Sequence, residues 1–370
     1  MKKFLIIFLF LFSISAQAEF NERLYKQRTI GADLEVRNGK GPTPINTFDP
    51  INTIELQKSK EINLDKYFNY PENMSTVVMH NSKIVYERYN EEKKFNEKFL
   101  AHGMSMTKTA VGLAIGHLFC EAQIKSLDDN LGTYSKTLSG SIYKNISIRN
   151  VLRMASGINE DRIMENIYNR ALRNKNSTIK NDQHEIIKAI TKTYSDQGKD
   201  SRYHTLDVTA AVVLVTDITG KSLDQVFFDK IFSKINPEGK MIWWADKNGN
   251  ALGMAGLNLT TRDWARLGQY MVNEMRSDSC IGKYLKDGLK QSIKTTLRKN
   301  QKYGYFFWVS KINNKPVIVL TGLGGQIMIP NHHNNSVSVV ISASNFKYGK
   351  YKIIEDIMLK VSQKFKNISP

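Results

Sequence analysis

Hydrophobic and polar positions change texture four times along the chain. The first residues, MKKFLIIFLFLFSISAQA, set Lys2 and Lys3 before an unbroken apolar run from Phe4 to Phe12 and then a small-x-small site at Ala16-Gln17-Ala18. That is the pattern of a secretory leader cleaved near Ala18, so residues 1–18 are set aside from the fold. Residues 19–72 are polar and aperiodic, which predicts an irregular arm. From Ser75, STVVMH and KIVYERY flank Asn81-Ser82, the signature of a β-hairpin.

Lys108 to Cys120 then reads KTAVGLAIGHLFC, apolar on nearly every side, as a helix buried all round would be. Residues 120–275 carry helical spacing in IRNVLRMA, DVTAAVVLVTDIT and TTRDWARLGQYMV, with Thr260 or Thr261 as an N-cap for the last. From Tyr303 several β-rich runs follow, among them YGYFFWVSKI, PVIVLTG, QIMIP and SVSVVISAS, separated by turn residues such as Asn313-Asn314. The last segment puts Ile353, Ile354, Ile357, Met358, Val361 and Phe365 on one helical face. The expected fold class is therefore α+β. One domain, residues 73–370, builds an antiparallel sheet from its N- and C-terminal segments, flanks it with helices, and carries a mostly helical region between them.

Composition narrows the picture only slightly. The formal charge of +18 is spread as single Lys and Arg residues without a basic run, which suits anionic cell-envelope material. An exported protein seldom meets nucleic acid, so no nucleic-acid partner is expected. After the leader no stretch approaches the roughly 20 apolar residues of a membrane helix, so no span is expected in the mature form. Export admits a disulfide between the two cysteines, Cys120 and Cys280, but Cys120 closes an apolar helix and reads first as a small buried hydrophobe. No HExxH or CxxC spacing is present, and no metal or cofactor is expected.

The candidate chemistry lies where the first strands hand over to the buried helix. Ser-x-x-Lys occurs four times, at Ser105-Lys108, Ser141-Lys144, Ser177-Lys180 and Ser344-Lys347, and three of these sit in polar or turn-like surroundings. Ser105 and Lys108 fall at a helix start, on one face. There desolvation and the positive end of the helix dipole favour a neutral amine, and a neutral amine beside a hydroxyl can activate it. A Ser-His-Asp arrangement using His102 or His204 fits less well, because Gly103-Met-Ser105-Met-Thr107 lacks the second glycine of a nucleophile elbow.

Around this pair the chain continues with IKSLDDNLGTY, SIRNVLRMASGI, DSRYHT, Trp244-Ala-Asp246 through AGLNLTTRDWARLG, YGYFFW and GLGGQ. In these segments and in their order the sequence resembles the penicillin-recognising serine hydrolases, the group of class C β-lactamases, D-alanyl-D-alanine peptidases and related esterases. It is most similar to the 6-aminohexanoate-dimer hydrolase type. The resemblance implies Ser105 as acylated nucleophile, Lys108 as base and Tyr203, of Tyr203-His204-Thr205, as proton relay to the leaving group. Gly322, Gly324 and Gly325 would lie on the strand that completes an oxyanion hole with the N–H of Ser105, or form a β-bulge at a crowded turn. Asn258 and Asp246 would support the pocket.

One departure matters. The third motif reads Leu320-Thr321-Gly322, without the cation that usually meets a substrate carboxylate. The implied function is a periplasmic serine hydrolase of a small amide or ester. A peptidoglycan D,D-peptidase or β-lactamase and an inactive binding module of the same fold are the alternatives. The segment from Asp161 to Asp200 reads as a lid over the site.

Overall fold

The structure is a computed structural model that describes residues 45–159, 182–298, 301–344 and 351–365. The expected leader, residues 19–44 of the arm and residues 161–181 of the expected lid lie outside the described residues.

Among the described residues, twelve strands form two antiparallel sheets. They are β1 (Ile45–Phe48), β2 (Asn73–His80), β3 (Lys83–Tyr89), β4 (Leu100–His102), β5 (Met241–Trp244), β6 (Leu257–Thr260), β7 (Ile293–Lys294), β8 (Lys302–Tyr303), β9 (Trp308–Ile312), β10 (Lys315–Gly322), β11 (Gln326–Asn331) and β12 (Ser336–Ser342). The large sheet has the order β3-β2-β12-β11-β10-β9-β8-β7, so the N-terminal hairpin completes a sheet begun by C-terminal strands, as the pattern implied. Both anticipated turns take left-handed backbone at their two central residues, with φ of 52° and 62° at Asn81 and Ser82 and of 50° and 61° at Asn313 and Asn314. That geometry matches the twist of a tight hairpin, and asparagine tolerates it well.

The four longest helices of the described region are α1 (Thr107–Cys120), α2 (Leu206–Thr219), α3 (Thr261–Arg276) and α4 (Tyr351–Gln363). Strand β12 is buried at all seven positions because α3 and α4 both pack against it, which is why SVSVVIS carries apolar residues without strict alternation. At the start of α3, Thr260 accepts a hydrogen bond from the Asp263 N–H at 3.0 Å, so Thr260 is the N-cap. Trp264, Leu267, Met271, Val272 and Met275 then form its buried stripe.

The middle of the chain is mostly helical as expected, yet β5 and β6 join β1 and β4 in a second sheet of order β1-β5-β6-β4, and three expectations are corrected. Part of the arm is thereby ordered, with Ile45 opposite Trp244 and Phe48 opposite Met241. In α4, Ile354, Met358, Val361 and Phe365 are buried, whereas Ile353 is 58% exposed, because the stripe is set by Ile354 and its i+4 and i+7 neighbours. Finally, Cys120 and Cys280 are joined in a disulfide with Cα atoms 5.8 Å apart, tying the end of α1 to the start of the Cys280–Lys290 helix.

Candidate active site

Ser105 stands on a 3-10 turn, Met104–Met106, that joins β4 to α1. Met104 holds left-handed backbone with φ of 50°, uncommon for a residue with a side chain. Its neighbours restrain the turn: the Gly103 N–H bonds the Leu257 carbonyl at 2.9 Å, and the Leu257 N–H bonds Thr107 Oγ1 at 3.3 Å. The nucleophile candidate is thus pinned between the small sheet and the buried helix.

Lys108 lies in the first turn of α1 and is 2% exposed. Its Nζ donates to Ser105 Oγ at 2.9 Å and to the Met254 carbonyl at 2.7 Å. The Tyr203 ring lies under the same nitrogen, 5.1 Å from ring centroid to Nζ, within the range of a cation–π contact. The structure therefore brings Ser105, Lys108 and Tyr203 together at the buried start of α1. Proton transfer between Lys108 and Ser105 needs no side-chain movement at that distance.

Tyr203 is held in an aromatic wall. Its ring stacks on Trp308 with centroids 5.3 Å apart and meets Tyr303 edge-on at 5.6 Å, while Tyr303 and Trp308 meet edge-on at 4.9 Å. Burial pushes the Tyr303 phenol well above its ordinary pKa, and the neighbouring Tyr203 adds to the shift.

The glycine-rich stretch divides into two parts. Gly322 ends β10 against the nucleophile turn, and a Cβ there would stand 2.4 Å from the Gly103 carbonyl and 2.9 Å from Met104 Cβ. Only a glycine lets this strand approach so closely. Gly324 and Gly325 take φ of 84° and 93°, and Gly325 donates its N–H to the Gly322 carbonyl at 3.2 Å. That N–H closes the β10–β11 turn. The Gly324 carbonyl accepts from the Ser344 N–H, also at 3.2 Å.

Asp246 and Asn258 organise the backbone behind Lys108. Asp246 accepts from the Asn248 and Asn250 N–H groups at 2.9 and 3.0 Å and from the Gln183 N–H at 3.1 Å. Asn258 donates to the Ile242 carbonyl at 3.1 Å and the Gly256 carbonyl at 2.5 Å. Together they shape the connection from β5 to β6, which carries the Met254 carbonyl.

The two histidines near the site are engaged elsewhere. His204 Nε2 lies 3.3 Å from Asp207 Oδ2, and the opposite oxygen of that carboxylate accepts from the Tyr143 hydroxyl at 3.0 Å. His102 stacks on Trp244 at 4.4 Å. The partner of the Ser105 hydroxyl is Lys108.

Sequence reasoning missed Met254, Trp308, Tyr303 and Arg298 as parts of this site. The aromatic run from Tyr303 to Trp308 was the signal for two of them. A main-chain carbonyl such as that of Met254 leaves no signal in a sequence. Arg298 lies with its guanidinium 4.1 Å from the Trp308 ring centroid and donates to Thr321 Oγ1 at 3.0 Å. A separate cavity of about 520 Å³, lined by Leu118, Gln123, Ile218 and Lys221 among others, includes none of Ser105, Lys108 and Tyr203.

The serine-bearing turn, the buried lysine and the antiparallel sheet flanked by helices are the arrangement of a serine hydrolase related to the β-lactamases. The chain belongs to the Beta-lactamase family, which matches it over residues 72–357. Among solved structures it is similar to a candidate 6-aminohexanoate-dimer hydrolase from Bacillus anthracis, with TM-score 0.74, 19% identity and coverage of 87% of this chain and 91% of that one. A D-stereospecific amidohydrolase from Streptomyces sp. aligns with TM-score 0.59 at 14% identity, over 79% of this chain and 95% of that one. A class C β-lactamase mutant aligns with TM-score 0.59 at 15% identity, over 80% and 94%. Comparison with curated protein sequences returned no match.

Proposed function

We propose that the protein is an exported hydrolase that cleaves a small amide or ester through an acyl-enzyme on Ser105. The observation that carries this reading is the 2.9 Å hydrogen bond between buried Lys108 Nζ and Ser105 Oγ. Lys108 takes the hydroxyl proton as Oγ bonds to the carbonyl carbon, and the resulting oxyanion is held by the Ser105 N–H and backbone at the Gly322 end of β10. The carbonyl–leaving-group bond then breaks as Tyr203, packed against the Lys108 nitrogen, passes a proton to the departing nitrogen or oxygen. Water attacks the ester on Ser105, regenerates the hydroxyl and frees the acid.

The relatives named as acting on amides support an amide or ester substrate, and so does the third motif, where Leu320 is 1% exposed within the core. That core residue argues against a wall peptidase or β-lactamase, the alternative that the family itself keeps open. Export is supported by the leader-like residues 1–18 and by the Cys120–Cys280 bridge, which suits an oxidising compartment such as the periplasm. The charge of +18 would suit anionic envelope material nearby.

The test is labelling by a fluorophosphonate, read by intact-protein mass spectrometry. One adduct on Ser105 in the native protein and none in Ser105→Ala is the expected result, together with ester hydrolysis lowered by at least about 10³-fold in the variant. Undiminished hydrolysis by Ser105→Ala would end this reading. Strong labelling by a fluorescent penicillin would move it to the wall-peptidase alternative.

A further inference from the structure

Tyr203 and His204 lie in a short stretch that belongs to no helix or strand. Backbone contacts anchor its two ends: the Arg202 N–H donates to the Met154 carbonyl at 2.9 Å, and the Thr205 carbonyl accepts from the Thr209 N–H at 3.0 Å. Between these anchors the chain is held by side chains. Trp308, Tyr303 and the Lys108 nitrogen hold the Tyr203 ring. The phenol oxygen, at the tip of that ring, depends also on the direction of the Cα–Cβ bond, which the backbone at 203 and 204 sets.

A buried polar pair holds that backbone. His204 Nε2 lies 3.3 Å from Asp207 Oδ2, and neither side chain reaches solvent to any extent. Asp207 stands in the first turn of α2, where the positive end of the helix dipole favours a carboxylate. Its other oxygen accepts from the hydroxyl of Tyr143, itself wholly buried, at 3.0 Å. Just beyond Asp207 the buried positions of α2 run through Val208, Ala210, Ala211 and Val212. A carboxylate and an imidazole set into such a core give back in mutual attraction no more than their desolvation costs, so an apolar pair of like volume would often serve stability as well.

We infer that His204 is a positioning residue for the proposed proton relay: held by Asp207, which Tyr143 orients, it fixes the backbone that aims the Tyr203 hydroxyl at the leaving group. The inference rests on the acyl-enzyme reading above. The polar pair serves geometry, because it has one preferred arrangement where an apolar pair would tolerate several. A phenol displaced by about an ångström loses much of its value as an acid. That loss falls on leaving groups that need a proton and spares those that depart as stable anions. A purely structural role would instead lower the rate for every substrate by the same factor.

The experiment measures kcat/KM of the full-length protein for 4-nitrophenyl acetate and for phenyl acetate. The two deliver the same acyl group, and only the phenyl ester has a leaving group in strong need of a proton, so a change in their ratio reports the acid. Tyr203→Phe should raise the ratio of nitrophenyl to phenyl ester about 30-fold over native and sets its upper bound. His204→Leu, which fills the space without a polar atom, should raise it about tenfold, and Tyr143→Phe, which removes one hydroxyl, about fivefold. His204→Gln, which returns an N–H donor at similar reach, should bring it back to within about twofold of native. Should His204→Leu fail to fold, Tyr143→Phe decides the matter. A native ratio in the His204→Leu and Tyr143→Phe proteins, beside a raised one in Tyr203→Phe, would overturn the inference and leave the acyl-enzyme intact. So would a ratio as high in His204→Gln as in His204→Leu, since the polar contact would then be irrelevant. A native ratio in Tyr203→Phe itself would remove the relay and the inference with it.

Discussion

The two ends of helix α1 are built on opposite principles. At its start, Met104 holds a left-handed φ of 50°, Lys108 buries an amine at 2% exposure, and the backbones of Gly322 and Gly103 are pressed together. Each of these costs stability: a non-glycine left-handed residue alone costs on the order of 1 kcal/mol, and a buried amine has to be compensated by the groups around it. At its end, thirteen residues on from Thr107, Cys120 is bonded to Cys280 and Glu121 pairs with Lys230 at 2.8 Å. One rigid rod thus joins a strained site to a staple, and the staple offsets locally what the chemistry costs. The two ends should then fail differently: damage to the first should cost activity, and damage to the second should cost stability.

The largest effect is expected at the first end. Lys108→Met keeps the side chain apolar, unbranched and buried but removes the amine, so labelling and hydrolysis should fall about 10³-fold with little loss of thermal stability. A loss of fold on that scale, or no loss of rate, would break the comparison. The second effect is Cys280→Ser. The bridge spans a sequence separation of 160 residues, and chain entropy alone sets its contribution at about 5 kcal/mol. Denaturant unfolding should report much of that, while Ser105 labelling at 25 °C stays near the native rate in the folded fraction. If labelling of folded Cys280→Ser instead falls as far as in Lys108→Met, the two ends are not separable and the staple is part of the site.

How much of this was legible in the sequence follows from how local each feature is. The hairpin at Asn81-Ser82, the turn at Asn313-Asn314 and helix α1 are written in adjacent residues, and the large sheet follows from them. The small sheet is not: its strands are three or four residues long, too short for alternation to register, and its pairings join Ile45 to Trp244 and Leu100 to Thr260. The same reason hides the disulfide and the contact between Arg298 and Thr321. Ser105 and Lys108 could be read because three residues on a helix fix their juxtaposition. The turn at Gly324 and Gly325 could not, because a hairpin turn and an oxyanion-binding strand use the same residues, and it takes the hydrogen bond from Gly325 to Gly322 to show the turn.

The smallest effect sharpens the stable end by pH. His117, one turn before Cys120, bonds the Tyr270 hydroxyl at 2.9 Å. Burial pushes its pKa down to about 4; the Glu121 carboxylate pulls it up, and Lys234 and Lys230 push it further down. In the unfolded chain it titrates near 6.5. Between about pH 6.5 and 4 the unfolded chain therefore binds a proton that the folded chain refuses, so stability falls as pH drops through this window and levels off below it. Above pH 6.5 both states are neutral at this group and it contributes no pH dependence. His332, pushed down to about 3 chiefly by burial, and His80 and His333, also lowered, act in the same direction. Glu87 acts lower: burial would raise it, but Arg262, Tyr89 and Lys58 hold it near 2, so its contribution is lost mainly as pH falls below about 4.5. Comparing denaturant midpoints at pH 7 and pH 5 reports the histidines together with Asp224 and Asp263, whose carboxyls burial raises and which act in the opposite direction, and His117→Gln isolates this one. The native protein should lose on the order of 1 kcal/mol more than the variant does between the two pH values. An equal loss in both would mean that His117 is protonated in the folded protein and that this end of α1 is less tightly closed than the bridge beside it implies.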